Sequence, residues 1–82
     1  MISIEILFFA QVREALGTDR ETIHVEDGQT VAEVVSALRD RAAWGVVDSL
    51  PLSYAVNEKI VGSEHALRDG ERLAILTPVS GG

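Results

Sequence analysis

The two glycines that end the sequence, Gly81 and Gly82, have the clearest chemical potential; they follow Pro78 after a short spacer. Neither glycine has a Cβ, so such an end can enter a narrow channel in another protein with its carboxylate first. A free carboxylate is a poor electrophile, but conversion to an acyl-adenylate gives it a good leaving group for attack by sulfur or nitrogen. Sulfur placed there forms a thiocarboxylate, which is a nucleophile that needs no cysteine, and the sequence contains none.

The other candidate catalytic groups are weaker. His24 and His65 do not have the spacing of a metal-binding pair, so we expect both to be structural or solvated and predict no metal site. The 13 Asp and Glu residues are dispersed along the chain rather than grouped, whereas a carboxylate-based active site requires several that converge on one pocket. We therefore expect no enzyme that acts alone.

Length and composition narrow the classes further. The 82 residues form one domain, and 7 Lys+Arg against 13 Asp+Glu give a net charge of −6. This charge disfavours nucleic acid and anionic membrane surfaces as partners. The absence of cysteine excludes disulfides, zinc–thiolate sites and iron–sulfur clusters. The sequence has no apolar run of the ~20 residues that a spanning helix needs, and it begins without a basic leader, so we expect a cytoplasmic protein.

The first third of the chain predicts a strand, a short helix and a second strand. Residues 2–9 alternate with a period of two, and apolar Leu7 and Phe9 on the second phase predict that the far end of this strand is covered on both faces. Residues 10–16 change to helical spacing, with Gly17 as the expected stop. Residues 21–26 alternate again.

The remainder predicts one long helix followed by short strands. Thr30 and Glu33 form a capping box in front of an apolar stripe, which predicts a helix over residues 31–43. The expected strands span residues 53–57, 60–61 and 73–77. We therefore predict an α+β fold, with one long and one short helix on a mixed sheet of four to five strands. Residues 1–77 would form the domain and residues 78–82 a flexible tail.

Four segments of the sequence carry a resemblance to a known family: LFFAQVRE at 7–14, AVN at 55–57, LRDGE at 67–71 and PVSGG at 78–82. The chain resembles the small, sulfur-carrying subunits of molybdopterin synthase over its whole length. It departs from the family pattern at Thr77, where a second proline is common, and at positions 71 and 72, where Glu-Arg replaces a more acidic pair.

The resemblance implies a ubiquitin-like β-grasp fold and a carrier function. A ubiquitin-activating (E1-like) enzyme would adenylate Gly82 with ATP, and a sulfur donor system would convert it to a thiocarboxylate, with no permanently bound cofactor. The tail, which consists of Pro78, Val79, Ser80, Gly81 and Gly82, would then enter the large synthase subunit. There the sulfur would pass to cyclic pyranopterin monophosphate, and two such transfers would build the dithiolene of molybdopterin.

For the residues that contact partners, the sequence leaves two interpretations open. Phe8 and Phe9 either pack in the core and sheet or form an exposed apolar patch with Arg13 at its rim. Trp44, at the expected end of the long helix, is predicted to cap the core rather than to anchor an interface.

Two alternative functions remain open at this stage. A related Gly-Gly carrier, serving thiamine or tRNA thiolation or acting as a protein modifier, would share the activation of Gly82. A plain ubiquitin-like interaction module would have a passive tail.

Overall fold

The computed structural model describes residues 1–41 and 51–77, which contain five strands and two helices. The elements in chain order are β1 (Ile2–Phe8), α1 (Ala10–Leu16), β2 (Arg20–Val25), α2 (Val31–Arg41), β3 (Ser53–Val56), β4 (Lys59–Val61) and β5 (Arg72–Leu76). Each predicted element within these ranges is present, and every strand differs from its pattern-based bounds by one residue at one or both ends. The predicted end of α2, Trp44 and the tail at 78–82 lie outside the described residues.

The strands form one mixed sheet with the order β2-β1-β5-β3-β4. β1 pairs with β2 antiparallel and with β5 parallel, and β3 pairs antiparallel with both β4 and β5. β5, although last in the chain, therefore lies at the centre of the sheet. This arrangement confirms the predicted α+β class.

The core lies between α2 and one face of the sheet. The alternate residues Ile4, Ile6 and Phe8 of β1 are buried, as are Leu73 and Ile75 of β5. The apolar stripe of α2 meets them, and its buried members are Val31, Val34, Val35 and Leu38. Period two in the strands and period 3.6 in the helix thus place their apolar residues in one shared core.

The end of α1 and the start of α2 have the structures that their sequences predict. Gly17 adopts φ 73° after α1, and its N–H donates to the carbonyl of Arg13, which is the left-handed stop that glycine favours. At the start of α2, the Thr30 N–H donates to Glu33 Oε1 at 2.9 Å and the Glu33 N–H donates to Thr30 Oγ1 at 3.2 Å. This reciprocal pair confirms the capping box, a feature of a kind that stabilises helices by about 1 kcal/mol.

Carbonyl groups of the loop between β4 and β5 accept hydrogen bonds from two further amides at the start of α2. The Val31 N–H donates to the His65 carbonyl and the Ala32 N–H to the Ser63 carbonyl, at 3.0 and 2.9 Å. Leu67, in the same loop, is fully buried. The loop therefore fixes α2 against β5, in part through the backbone carbonyl of His65.

Candidate functional site

The described part of the predicted site is the end of the sheet from which the tail continues. Pro78, Val79, Ser80, Gly81 and Gly82 follow directly on Thr77 but lie outside the described residues. β5 precedes them and is hydrogen-bonded on both sides, to β1 and to β3. The tail thus starts from a central strand, and its root is fixed by two neighbours.

Of the four segments that carry the family resemblance, residues 7–14 lie at this end of the sheet, beside the point where β5 leads into residues 78–82. β1 and β5 are parallel, with Phe8 opposite Ile75. Their carboxyl ends therefore lie at the same edge, so Phe9 and the start of α1 lie beside the last residues of β5. Residues 7–14 and the root of the tail are separated by some 60 positions in sequence, yet the parallel pairing makes them parts of one site.

The two adjacent phenylalanines have opposite environments. Phe8 is 1% exposed and packs in the core, whereas Phe9 is 43% exposed. The proposal that Phe8 is part of a partner surface is therefore wrong, because its strand position points towards α2. The predicted cover on both faces at this end of β1 is also wrong, because Phe9 is exposed and Leu7 is only half-buried.

On the sheet face opposite α2, apolar side chains cross four strands in one row. Leu7 is opposite Ala74, Ala74 is opposite Ala55, and Ala55 is opposite Ile60. We call these four residues the outer row. Ile60 at its end is 72% exposed, and a shallow depression of about 540 Å³ covers Leu7, Phe9, Ala55 and Ala74. A partly exposed apolar row of this kind is typical of interaction surfaces.

Charged side chains border the outer row on the side of the amino end of β5. Glu5 Oε1 lies 3.1 Å from Arg72 Nε, and Glu5 Oε2 lies 3.8 Å from Arg20 Nη1. Arg13, on α1, is exposed, and a second depression is lined by Arg13, Phe9 and these two arginines. Three of the seven cationic residues in an acidic chain thus lie around one edge of the apolar surface.

The sequence pointed to Phe9 and Arg13, which both lie at this surface, but did not predict the outer row. The outer row was missed because alanine and a single isoleucine give no distinctive pattern in short strands. The useful signal was the apolar residue on the second phase of β1, Leu7, which indicates a sheet face that is not fully solvated.

The two histidines lie apart from this surface. His24 is exposed on β2, with Nδ1 3.1 Å from Ser3 Oγ, as expected for a solvated position. His65 is half-buried, with Nε2 3.9 Å from Glu71 Oε1. Among residues 1–41 and 51–77, no group of three His, Asp or Glu side chains could hold a metal ion. Over the same ranges, no helix is long and apolar enough to cross a membrane.

The five strands form a mixed sheet in the order 2-1-5-3-4, the long helix packs on one face, and the chain continues beyond the central strand. These features define a ubiquitin-like β-grasp protein. Within this class, the model of the ThiS family matches residues 6–82, so the chain belongs to the ThiS family.

A curated relative agrees with this family, and two solved structures share the fold. The chain is 38% identical over 81 residues to the molybdopterin synthase sulfur carrier subunit of Escherichia coli, covering 96% of this chain and 99% of the relative. Small archaeal modifier protein 1 from Haloferax volcanii shares the fold with a TM-score of 0.83 at 19% identity, over 96% of this chain and 100% of that one. A chain from the complex of subunits 1 and 2 of molybdopterin-converting factor from Helicobacter pylori superposes with a TM-score of 0.72 at 21% identity, over 99% of this chain and 100% of that one.

Proposed function

We propose that the protein is a sulfur carrier subunit of molybdopterin synthase and that it carries the sulfur on the terminal carboxylate of Gly82. Its role is that of a carrier, and catalysis of the transfer belongs to the large subunit. The observation that carries the proposal is the parallel pairing of β1 and β5, which brings residues 7–14 and the root of the tail to one end of the sheet. The Escherichia coli relative, a sulfur carrier subunit by name, supports the same function.

The chemistry assigned to Gly82 proceeds in two activation steps. A carboxylate oxygen attacks the α-phosphorus of ATP on an E1-like partner, and pyrophosphate leaves, which gives an acyl-adenylate. A hydrosulfide ion, released by a donor system, then attacks the acyl carbon, and AMP leaves with the electron pair of the broken C–O bond, so that the tail ends in a thiocarboxylate. Because the chain has no cysteine, the sulfur is held at the chain end itself, and no cofactor has to be bound permanently.

Transfer takes place in the large subunit, where the thiocarboxylate sulfur attacks a carbon of the pterin precursor and displaces the oxygen bonded there. Water then cleaves the acyl–sulfur bond, so that the sulfur stays on the pterin and the Gly82 carboxylate is restored. Gly81 and Gly82 give the tail its narrow profile, while Pro78, Val79 and Ser80 position it. Five residues reach at most ~17 Å from the sheet. The reacting centre of the large subunit must therefore lie within that distance of Thr77, so the two proteins must dock close to this end of the sheet.

The surface that meets this geometric requirement is the outer row together with Phe9 and Arg13. It begins beside the root of the tail, it is apolar and partly exposed, and arginines border it. Interfaces of this composition combine an apolar centre with a charged rim. The Helicobacter pylori structure, a complex of two subunits of molybdopterin-converting factor, supports a large-subunit partner. The proposal also places the carrier in the cytoplasm, where ATP for the adenylation is supplied.

Reconstitution with the large subunit tests this function against that of a related carrier. Thiocarboxylated protein mixed with the large subunit and cyclic pyranopterin monophosphate is expected to lose its sulfur and yield molybdopterin, detected as its fluorescent oxidised derivative. Protein with an unmodified carboxylate is the control and is expected to give no product. If the thiocarboxylate persists here but is consumed by a thiazole-forming or tRNA-thiolating enzyme, the chain is a carrier for another pathway.

A further inference from the structure

The second strand offers an open hydrogen-bonding edge. β2 lies at the margin of the sheet, and among residues 1–41 and 51–77 its strand partner is β1 alone. The Phe8 N–H donates to the Asp19 carbonyl at 2.9 Å. Since bonded and non-bonded pairs alternate in antiparallel strands, Glu21 and Ile23 also bond to β1, while the backbone groups of Thr22 and His24 point away from the sheet.

The two ends of this edge are already closed by the chain itself. The Arg20 carbonyl accepts a hydrogen bond from Thr18 Oγ1 at 3.0 Å, and the Glu26 N–H donates to Gln29 Oε1 at 3.2 Å. The outward amides and carbonyls of Thr22 and His24 therefore form a short window. An added strand could make four backbone hydrogen bonds there.

A groove of apolar side chains runs beside this window. About 180 Å³ of free volume lies between β2 and α2, and its apolar lining consists of Ile23, Val25, Val34, Ala37 and Leu38. Alternate residues of an added strand point to the same face. A strand bonded to the window would thus direct every second side chain towards this groove, which has room for side chains of moderate size.

The rim of the groove is acidic. Glu33 and Asp40 lie one helical turn before and after Ala37, on the flank of α2 that faces the groove, and both are exposed. Glu26 and Asp27 are exposed at the end of β2. This local charge, in a chain of net charge −6, favours a ligand with cationic flanks. It disfavours pairing with a second copy, which would bring the same carboxylates to the same rim.

We propose that the β2 edge and the adjoining groove bind an extended segment of a partner protein that has branched apolar residues at alternate positions and Lys or Arg on either side. The segment adds a sixth strand to the sheet, the mode of recognition in which backbone bonds give affinity and side-chain pockets give selectivity. The site shares no residue with the outer row, Phe9 or the tail. The protein can therefore hold this partner while its tail is engaged elsewhere, and the proposal does not depend on the chemistry of Gly82.

The test uses ¹⁵N-labelled protein and a capped synthetic heptapeptide with lysine at both ends and valine or isoleucine at alternate central positions. We expect the amide signals of Thr22 and His24 to shift and their hydrogen exchange to slow, with an affinity that falls as salt is added. Shifts confined to the outer row, equal affinity for a peptide with glutamate at both ends, or no binding at millimolar peptide would overturn the proposal. Protein dimers formed through β2 would overturn it too.

A pair of helix variants separates the groove from general charge effects. Ala37→Arg fills the groove with a cation and is expected to weaken the affinity for the peptide by at least about tenfold. Ser36→Arg makes the same charge change outside the groove lining and is expected to retain binding to within about threefold, a difference that general electrostatics accounts for. Both positions are exposed on α2, so both variants should melt as the parent does. Equal weakening by the two variants would contradict the assignment of the groove.

Discussion

Deletion of Gly82 is expected to leave the melting temperature unchanged and to abolish sulfur loading. Gly82 has no side chain to add to the hydrophobic core, whose members in the described residues lie between Ile4 and Ile75. The shortened tail still ends in a glycine carboxylate, but one residue moves that carboxylate back by about 3.5 Å. Displacement of a reacting group by ~1 Å can cost 10²-fold in rate, so we expect a loss of at least that size.

Two measurements check this expectation, a thermal melt and ATP-dependent loading by the activating enzyme. Gly62→Ala is a suitable control, because it also removes a glycine, and a Cβ built there would make only an ordinary contact of 3.6 Å with Glu64 Oε2. The control should load at the rate of the parent. A collapse of the melting temperature in the deletion variant, or loading at the rate of the parent, would contradict the assigned role of Gly82.

The second large effect is a contrast between two neighbouring phenylalanines. Phe8→Ala removes a ring that is 1% exposed and should lower the free energy of unfolding by about 3–5 kcal/mol. Small domains have only about 5–15 kcal/mol in total, so this variant should be close to unfolding at growth temperature. Phe9→Ala removes a ring that is 43% exposed. It should cost less than about 1 kcal/mol in stability.

The affinity for the large subunit, compared between folded variants, should rank the other way, with Phe9→Ala losing more than Phe8→Ala. Phe9→Ala is expected to weaken the complex by about 1–2 kcal/mol, or roughly tenfold in the dissociation constant, because large rings near the centre of an interface carry much of its energy. Phe9→Leu keeps an apolar side chain and should lose less. Urea unfolding measures the stability of each variant, and calorimetric titration measures its affinity for the large subunit. Unchanged affinity in Phe9→Ala, or an equal loss of stability in both alanine variants, would refute the proposed outer surface.

Local structure could be predicted from the sequence because its signals are local. The alternation in β1, the stop at Gly17 and the capping box of Thr30 with Glu33 each depend on residues a few positions apart, and all three are present. One helical stripe long enough to cover a sheet indicated the α+β class.

The arrangement of the site could not be predicted in the same way, because it depends on contacts between distant residues. Nothing near Phe8 or Phe9 shows that β5 will pair with β1 in parallel, and that pairing places the exposed Phe9 beside the root of the tail. The outer row is likewise assembled from single residues of four strands. The alanines of the outer row can be recognised as neighbours on one face only once the strand order is known.

Intact-mass spectrometry of the protein after incubation with its activating enzyme, ATP and a sulfur donor is the most direct test of the central claim. We predict the mass gain of one oxygen replaced by sulfur, located by fragmentation to Gly82 and absent when ATP is omitted. A protein that keeps its original mass under conditions in which a known carrier of the family is loaded, or that carries the sulfur at any other residue, would contradict the account.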